Sequence, residues 1–284
     1  MKRLTIRNIQ KMKTDGEPIT MLTAYDATSA RLAESAEIPM ILVGDTLGMV
    51  VQGHDSTIPV KLEHMIYHAE IVTRVTTKPF VVGDLPFMTY SISPEQALEN
   101  SGKLMQQARV SAVKLEGGET MAPTIKRITN AGIPVMAHIG LTPQSVNQFG
   151  GFRVQGKQLE PARQLIRDAQ AVQAAGAFAV VLELVPARLS ALITEILDIP
   201  TIGIGAGIGC DGQVQVFHDI LALFDDFIPK HTKRYVNLNE MMLTALQQYH
   251  AEVREGNFPT EANSFSMPDD IIAALRDEVI HAHH

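Results

Sequence analysis

Short runs rich in Val, Ile and Leu recur along this chain. Each is followed by a polar turn and then by a stretch in which apolar residues return every three or four positions. The runs are PITMLTAYD, PMILVGDT, KPFVVGDLP, SAVKLEGG, IPVMAHIG, AFAVVLELVP, IPTIGIGAG and, less clearly, QVQVFHDIL. Apolar runs bounded by turns predict strands covered on both faces, and the 3.6-residue period between them predicts amphipathic helices. In KLEHMIYHAEIVTRV, for example, Leu62, Met65, Ile66, Ala69 and Val72 fall on one face. In SPEQALENSGKLMQQA, Ser93 stands as N-cap, Pro94 at the first helical position and Gln96 at the spacing of a capping box. Eight such units over roughly 250 residues are the size of a closed (β/α)8 TIM barrel, an α/β fold. A doubly wound open sheet is the rival, and it would call for a dinucleotide fingerprint. GIGAGIG at 203–209 lacks the G-x-G-x-x-G spacing, so its glycines read as a tight turn after a strand, with phosphate binding as the alternative. From Gly256 to Asp270 the chain turns polar, and DDIIAALRDEVIHA then predicts a short amphipathic helix. The expected organisation is a barrel over 1–265 and a C-terminal extension over 266–284.

Composition narrows the class of partner. Of 284 residues, 45% are apolar, enough for a sizeable core, and the formal charge is −7. An acidic chain of this kind does not favour nucleic acid or an anionic membrane, and a small metabolite fits better. Neither an apolar signal region nor a transmembrane run is evident, so the expected compartment is the cytoplasm. The single cysteine, Cys210, excludes intramolecular disulfides and a cysteine-based zinc cage.

The C-terminal ends of the predicted strands carry Asp26, Asp45, Asp84, Lys114 with Glu116, His138 and Glu183. An isolated Asp in such a place is commonly a helix N-cap, but several together point to a site. Residues two apart on a strand share a face, which pairs Lys114 with Glu116, Val43 with Asp45, Val82 with Asp84, Met136 with His138 and Val181 with Glu183. If these faces point inward, several carboxylates converge on one mouth. They can remain ionised in a partly dry cavity only beside compensating cations, of which Lys114 is one and a divalent metal would be another. All-oxygen ligation by Asp45, Asp84 and Glu116 suits Mg²⁺. Zinc fits less well with one histidine at this mouth, and the terminal HAHH reads as a solvated tail. Glu183, in VVLELVP, has apolar neighbours that would raise its pKa, which makes it a candidate general base; the alternative is a partner arginine across the barrel. His138 reads equally as a core histidine or as a hydrogen-bond donor toward an oxyanion.

At these residues the sequence resembles the ketopantoate hydroxymethyltransferase family. LTAYDATSA, LVGDTLGMVVQGHDSTIPV, GDLPFMTY, VKLEGG, HIGLTPQSVNQFGGFRVQG and IGIGAG carry the resemblance, from about Leu4 to Phe265. It implies a barrel of the phosphoenolpyruvate/pyruvate superfamily type and transfer of a hydroxymethyl group from 5,10-methylenetetrahydrofolate to 3-methyl-2-oxobutanoate, giving 2-dehydropantoate on the route to pantothenate and coenzyme A. It implies one Mg²⁺ per subunit served by Asp45, Asp84 and Glu116, a keto acid held by Asp45, Thr46, Asp84, Lys114 and His138, and Glu183 as proton acceptor. Thr46 stands where the family commonly has Ser, keeping the hydroxyl and adding a methyl. The family usually closes near H-S-F, whereas this chain has Asn263, Ser264 and Phe265 and continues. A homodecamer of two stacked pentamers is also implied.

The mechanism expected from this resemblance is loss of the C3 proton to Glu183, giving an enolate stabilised by Mg²⁺, which attacks the one-carbon unit of the folate. The loop LTPQSVNQFGG after His138 is expected to cover the site and admit the folate. The rivals are a metal-dependent lyase of the same superfamily and a barrel that has lost catalysis. Such lyases commonly use a cysteine in a Lys-Cys-Gly-type loop, whereas Cys210 lies in IGCDGQ. A non-catalytic barrel would be indicated by loss of Asp45, Asp84, Lys114 or Glu183, and all four are present.

Overall fold

In a computed structural model, which describes residues 2–151, 153–223 and 228–281, eight parallel strands close into a barrel. They are β1 (Ile19–Thr23), β2 (Met40–Val43), β3 (Phe80–Asp84), β4 (Ala112–Glu116), β5 (Val135–Gly140), β6 (Ala179–Glu183), β7 (Thr201–Ile204) and β8 (Gly212–Gln215). Each strand pairs with the next in sequence, and β8 returns to β1 with Ile19 opposite Gly212, so no edge is left open. The eight predicted runs are the eight strands, and the open-sheet rival is excluded.

Two apolar layers follow from strand alternation. Met21, Leu42, Phe80, Val82, Ala112, Met136, Ala179, Val181, Ile202 and Val214 pack together inside the barrel. Ile41, Val43, Val81, Val113, Ala137 and Val180 face outward onto helix residues such as Met65, Ala69, Leu104 and Val172. The N-terminal helix Ile6–Asp15 adds Ile9 to the interior cluster, with Leu4, Ile6 and Met12 partly buried against it, closing the end of the barrel where the strands begin. Lys13 Nζ, on that helix, bonds Asp211 Oδ2 at 2.8 Å just ahead of β8.

The helix Leu62–Val75 buries Leu62, Met65, Ala69 and Val72, with Ile66 partly covered, as its period predicts. The helix Pro94–Gln107 starts with Ser93 accepting from the Gln96 amide at 3.1 Å. Its return bond differs from the expected capping box: Gln96 Oε1 accepts from Ile92 N–H, one residue earlier than the cap.

The chain divides into two compact units, Met1–Val236 and Asn237–His284. The boundary expected at 265 therefore falls inside the second unit. Composition turns polar only after Gly256, but the helix Leu238–Glu255 already buries none of its residues. The expected amphipathic helix spans Asp269–His281, while the histidines at 283 and 284 lie outside the described residues.

Candidate active site

The barrel mouth gathers the residues that the strand ends present. Asp84 and Glu116 are the last residues of β3 and β4, Glu183 is the last of β6, and His138 lies in β5 directly opposite Glu116 in the register. Each belongs to the inward set, because Val82, Ala112, Met136 and Val181 on the same faces lie in the interior cluster. Asp45 does not follow that rule. Ile41 and Val43 share its parity yet face the helices, and Asp45 enters the site only because the chain leaves β2 at Val43 and turns. Its backbone N–H donates to Asp84 Oδ2 at 3.4 Å. Asp26 leaves the set altogether: it is exposed and caps the helix Ala27–Ser35, accepting from Ser29 N–H at 2.7 Å.

A pocket of about 50 Å³ is lined by Asp45, Thr46, Asp84, Lys114, Glu116, His138 and Glu183. Lys114 Nζ lies 2.8 and 2.7 Å from the two oxygens of Asp84, and both side chains are buried. Burial alone would lower the lysine pKa, but the charges of Asp84, Glu116 and Asp45 outweigh it and keep the ammonium protonated. Asp45 is pushed up to about 7 by burial and by the neighbouring charge of Asp84. Burial also raises Glu116 well above the ordinary carboxylate range, and Lys114 only partly offsets it. His138 is held below its ordinary value by burial and by Lys114, so it is neutral at pH 7. Its Nε2 is 3.3 Å from Glu183 Oε2 and its Nδ1 is 3.5 Å from Glu116 Oε1, too long or misdirected for hydrogen bonds, and both buried nitrogens lack a partner. Glu183 is not sealed by its apolar neighbours: its side chain is 15% exposed at the rim. Leu184, in the left-handed region at φ 47°, turns the chain immediately after it.

Two residues that pattern reading passed over complete the site. Gln144 Nε2 donates to Asp45 Oδ2 at 2.8 Å and to the Leu85 carbonyl at 2.9 Å. Its backbone N–H reaches Glu116 Oε2 at 3.1 Å. The Tyr90 hydroxyl donates to Gln144 Oε1 at 2.7 Å and accepts from Glu116 N–H at 3.3 Å. Both lie in loops just past a site residue, in GDLPFMTY and HIGLTPQS, where helical or strand periodicity carries no signal. Thr46 Oγ1 sits 2.7 Å from the buried Tyr25 hydroxyl.

Among the described residues, no group of three or more His, Cys, Asp or Glu side chains is gathered to hold a metal ion. The expected set of Asp45, Asp84 and Glu116 is not preassembled, because Lys114 engages Asp84 while Gln144 engages both Asp45 and Glu116. The donors nonetheless fit Mg²⁺. Asp45 and Asp84 are adjacent oxygen donors, one or two carboxylates suffice when substrate and water complete the octahedron, and four carboxylates face one ammonium among the lining residues.

The polar pocket opens beside a cavity of about 610 Å³ with mainly aliphatic walls. Thr46, Pro143, Glu183, Ile204 and Val216 line both. Gly205 and Gly207, at φ 64° and 82°, turn the chain after β7 along this cavity, and a Cβ at Gly207 would meet Ala187 at 2.4 Å. Two glycines of IGIGAG, Gly205 and Gly207, thus serve the tight turn, while Gly203 lies within β7.

The model of the ketopantoate hydroxymethyltransferase family matches residues 3–261. This chain belongs to that family. A 3-methyl-2-oxobutanoate hydroxymethyltransferase of Chloroflexus aurantiacus is 58% identical over 274 residues, covering 96% of this chain and 97% of that protein. The one of Dehalococcoides mccartyi is 54% identical over 278 residues, covering 98% and 100%. Membership makes the chain an enzyme, a transferase. Among solved structures, phosphonopyruvate hydrolase in complex with oxalate and Mg²⁺ superposes with a TM-score of 0.58 at 15% identity, covering 98% of each chain. A 2,3-dimethylmalate lyase of the PEP mutase/isocitrate lyase superfamily gives 0.56 at 14%, covering 99% of this chain and 98% of that one. At these identities the likenesses show the barrel fold alone.

Proposed function

We propose that this chain transfers a hydroxymethyl group from 5,10-methylenetetrahydrofolate to 3-methyl-2-oxobutanoate, yielding 2-dehydropantoate and tetrahydrofolate for pantothenate biosynthesis in the cytoplasm. The observation that carries this reading is that Glu183 lines both the small carboxylate-rich pocket and the large apolar cavity. A base at that junction can take a proton from a small acid on one side and face a bulky one-carbon donor on the other.

The 2-oxo acid occupies the polar pocket, with its carboxylate and keto oxygens toward Lys114 and the Thr46 hydroxyl. Asp45 and Asp84, with Glu116 behind them, would hold Mg²⁺, which when bound supplies Lewis acidity toward those oxygens. Glu183 accepts the C3 proton. Lys114 keeps its proton and balances the negative charge that develops on the keto oxygen. Neutral His138 has one N–H, which is not committed to a hydrogen bond within the protein and so is left for a substrate oxygen or for Glu183. One C–N bond of the folate methylene carbon opens to the iminium, C3 forms its bond to that carbon, and water then displaces the remaining C–N bond, supplying the hydroxyl as tetrahydrofolate leaves.

The test is deuterium exchange at C3 of 3-methyl-2-oxobutanoate, followed by proton NMR with Mg²⁺, for wild type and Glu183→Gln. Exchange in wild type that disappears in the variant is expected. No exchange in wild type, with or without tetrahydrofolate, would overturn the reading. Product formed from formaldehyde with folate omitted, at the full rate, would make the chain a simple aldolase instead.

The same reading includes assembly as a homodecamer of two stacked pentamers. Met242, Leu246, Tyr249 and Val253 form an exposed stripe on the helix Leu238–Glu255, and Ile271, Leu275 and Val279 form another on Asp269–His281. Such stripes support association with further copies.

A further inference from the structure

The apolar cavity beside Glu183 holds a carboxylate that the chemistry above does not use. Asp219, on the short helix Phe217–Ile220 after β8, lines it, as do Lys230 and His231 on another part of the wall. Much of the remaining wall is aliphatic, including Leu184, Val185 and Val216. Burial pushes Asp219 up to about 6, and the opposing charge of Arg234 offsets this only in part. Its surroundings therefore leave the carboxylate short of donors, a cost that a ligand bringing N–H groups would remove.

The cavity's volume of about 610 Å³ lies in the range of sites for cofactor-sized molecules. Because it shares Thr46 and Glu183 with the keto-acid pocket, a ligand filling it would present its reactive carbon there. The pyrimidine ring of a reduced pterin is flat with weakly polar faces, and one edge of it has two parallel donors, the 2-amino group and N3–H. That edge matches the two oxygens of a carboxylate as a guanidinium does.

We propose that Asp219 is the residue that selects the one-carbon donor, accepting the 2-amino and N3–H edge of the reduced pterin inside the aliphatic cavity. This rests on the folate-donor reading given above. Lys230 adds a cation to the lining of the cavity, which suits a ligand whose tail bears carboxylates.

The test uses the full chain with Mg²⁺ and 3-methyl-2-oxobutanoate. Anaerobic calorimetry measures the Kd of tetrahydrofolate and of its 2-desamino-2-methyl analogue, for wild type and Asp219→Asn. Wild type is expected to prefer tetrahydrofolate by roughly 10- to 100-fold, the range for hydrogen bonds to a charged group. Asp219→Asn loses that margin, binds both compounds alike, and raises KM for the folate far more than KM for the keto acid. A variant that keeps wild-type affinity or keeps the preference overturns the assignment of Asp219 while leaving the folate reading intact. If the variant fails to fold, wild type alone decides, since equal binding of the two compounds overturns the proposal. Wild type that binds no tetrahydrofolate yet forms product from formaldehyde overturns the folate reading and this assignment together.

Discussion

Gln144 ties three groups of the site together through one side chain, and its amide has no spare donor. Its two N–H groups go to Asp45 and the Leu85 carbonyl, while its carbonyl accepts from Tyr90. Gln144→Leu would strand each of them in a buried setting, and a loss of about 1–3 kcal/mol is expected in urea denaturation, because unmade buried hydrogen bonds cost that much. Lys114→Met removes the ammonium that Asp84 holds. Breaking a buried pair by deleting one partner typically costs about 3–5 kcal/mol, since the remaining charge is left uncompensated. The variant should therefore melt well below wild type in EDTA and recover part of the difference in millimolar Mg²⁺. An equal Tm in both conditions would show that no cation reaches Asp84. The individual chemistry of most of these residues was legible in the sequence, because Asp84, Lys114, Glu116, His138 and Glu183 all sit at strand ends. Gln144 and Tyr90 were not, because their role comes from where two loops fold.

At the scale of elements, β5 and β6 approach so closely that Gly140 is required. Its φ is 96°, and a Cβ there would lie 2.3 Å from the Glu183 carbonyl oxygen. Gly140→Ala must move the end of β6 and with it the candidate base. Roughly 1–3 kcal/mol of destabilisation is expected from the strained backbone alone, together with a slower C3 exchange rate than wild type. A variant that keeps both its Tm and its exchange rate would show that Glu183 is not set by this contact. Strand parity predicted the inward face correctly for Asp84, Lys114, Glu116, His138 and Glu183. It misled for Asp45, whose strand faces the other way. The turn after Val43, which reorients the chain, depends on backbone geometry that alternation does not encode.

At the scale of the whole molecule, Asp219 links stability to pH. Its folded pKa, about 6, lies above the ordinary 3.8, so the folded chain binds more protons than the unfolded one between those values. Its contribution therefore falls as pH rises through that window and is constant above it. The Tm of Asp219→Asn minus that of wild type should grow from pH 4 to about pH 7 and then level off; a difference that is flat or shrinks contradicts the shift. Light scattering tests assembly: a homodecamer requires ten times the 31.1-kDa chain mass, and a mass near one chain would contradict it.

The sequence by itself determined the barrel, since eight apolar runs separated by helical periods leave few ways to bury every strand on both faces. It also determined which carboxylates, lysine and histidine would stand at the C-terminal ends of those strands. Only the tertiary structure decided how these groups share their charge. Lys114 engages Asp84 rather than another carboxylate, Gln144 occupies oxygens that a metal could otherwise take, and Asp26 turns away to cap a helix. Those outcomes depend on distances of a few ångströms between loops far apart in the chain, over which residue type and spacing carry no information.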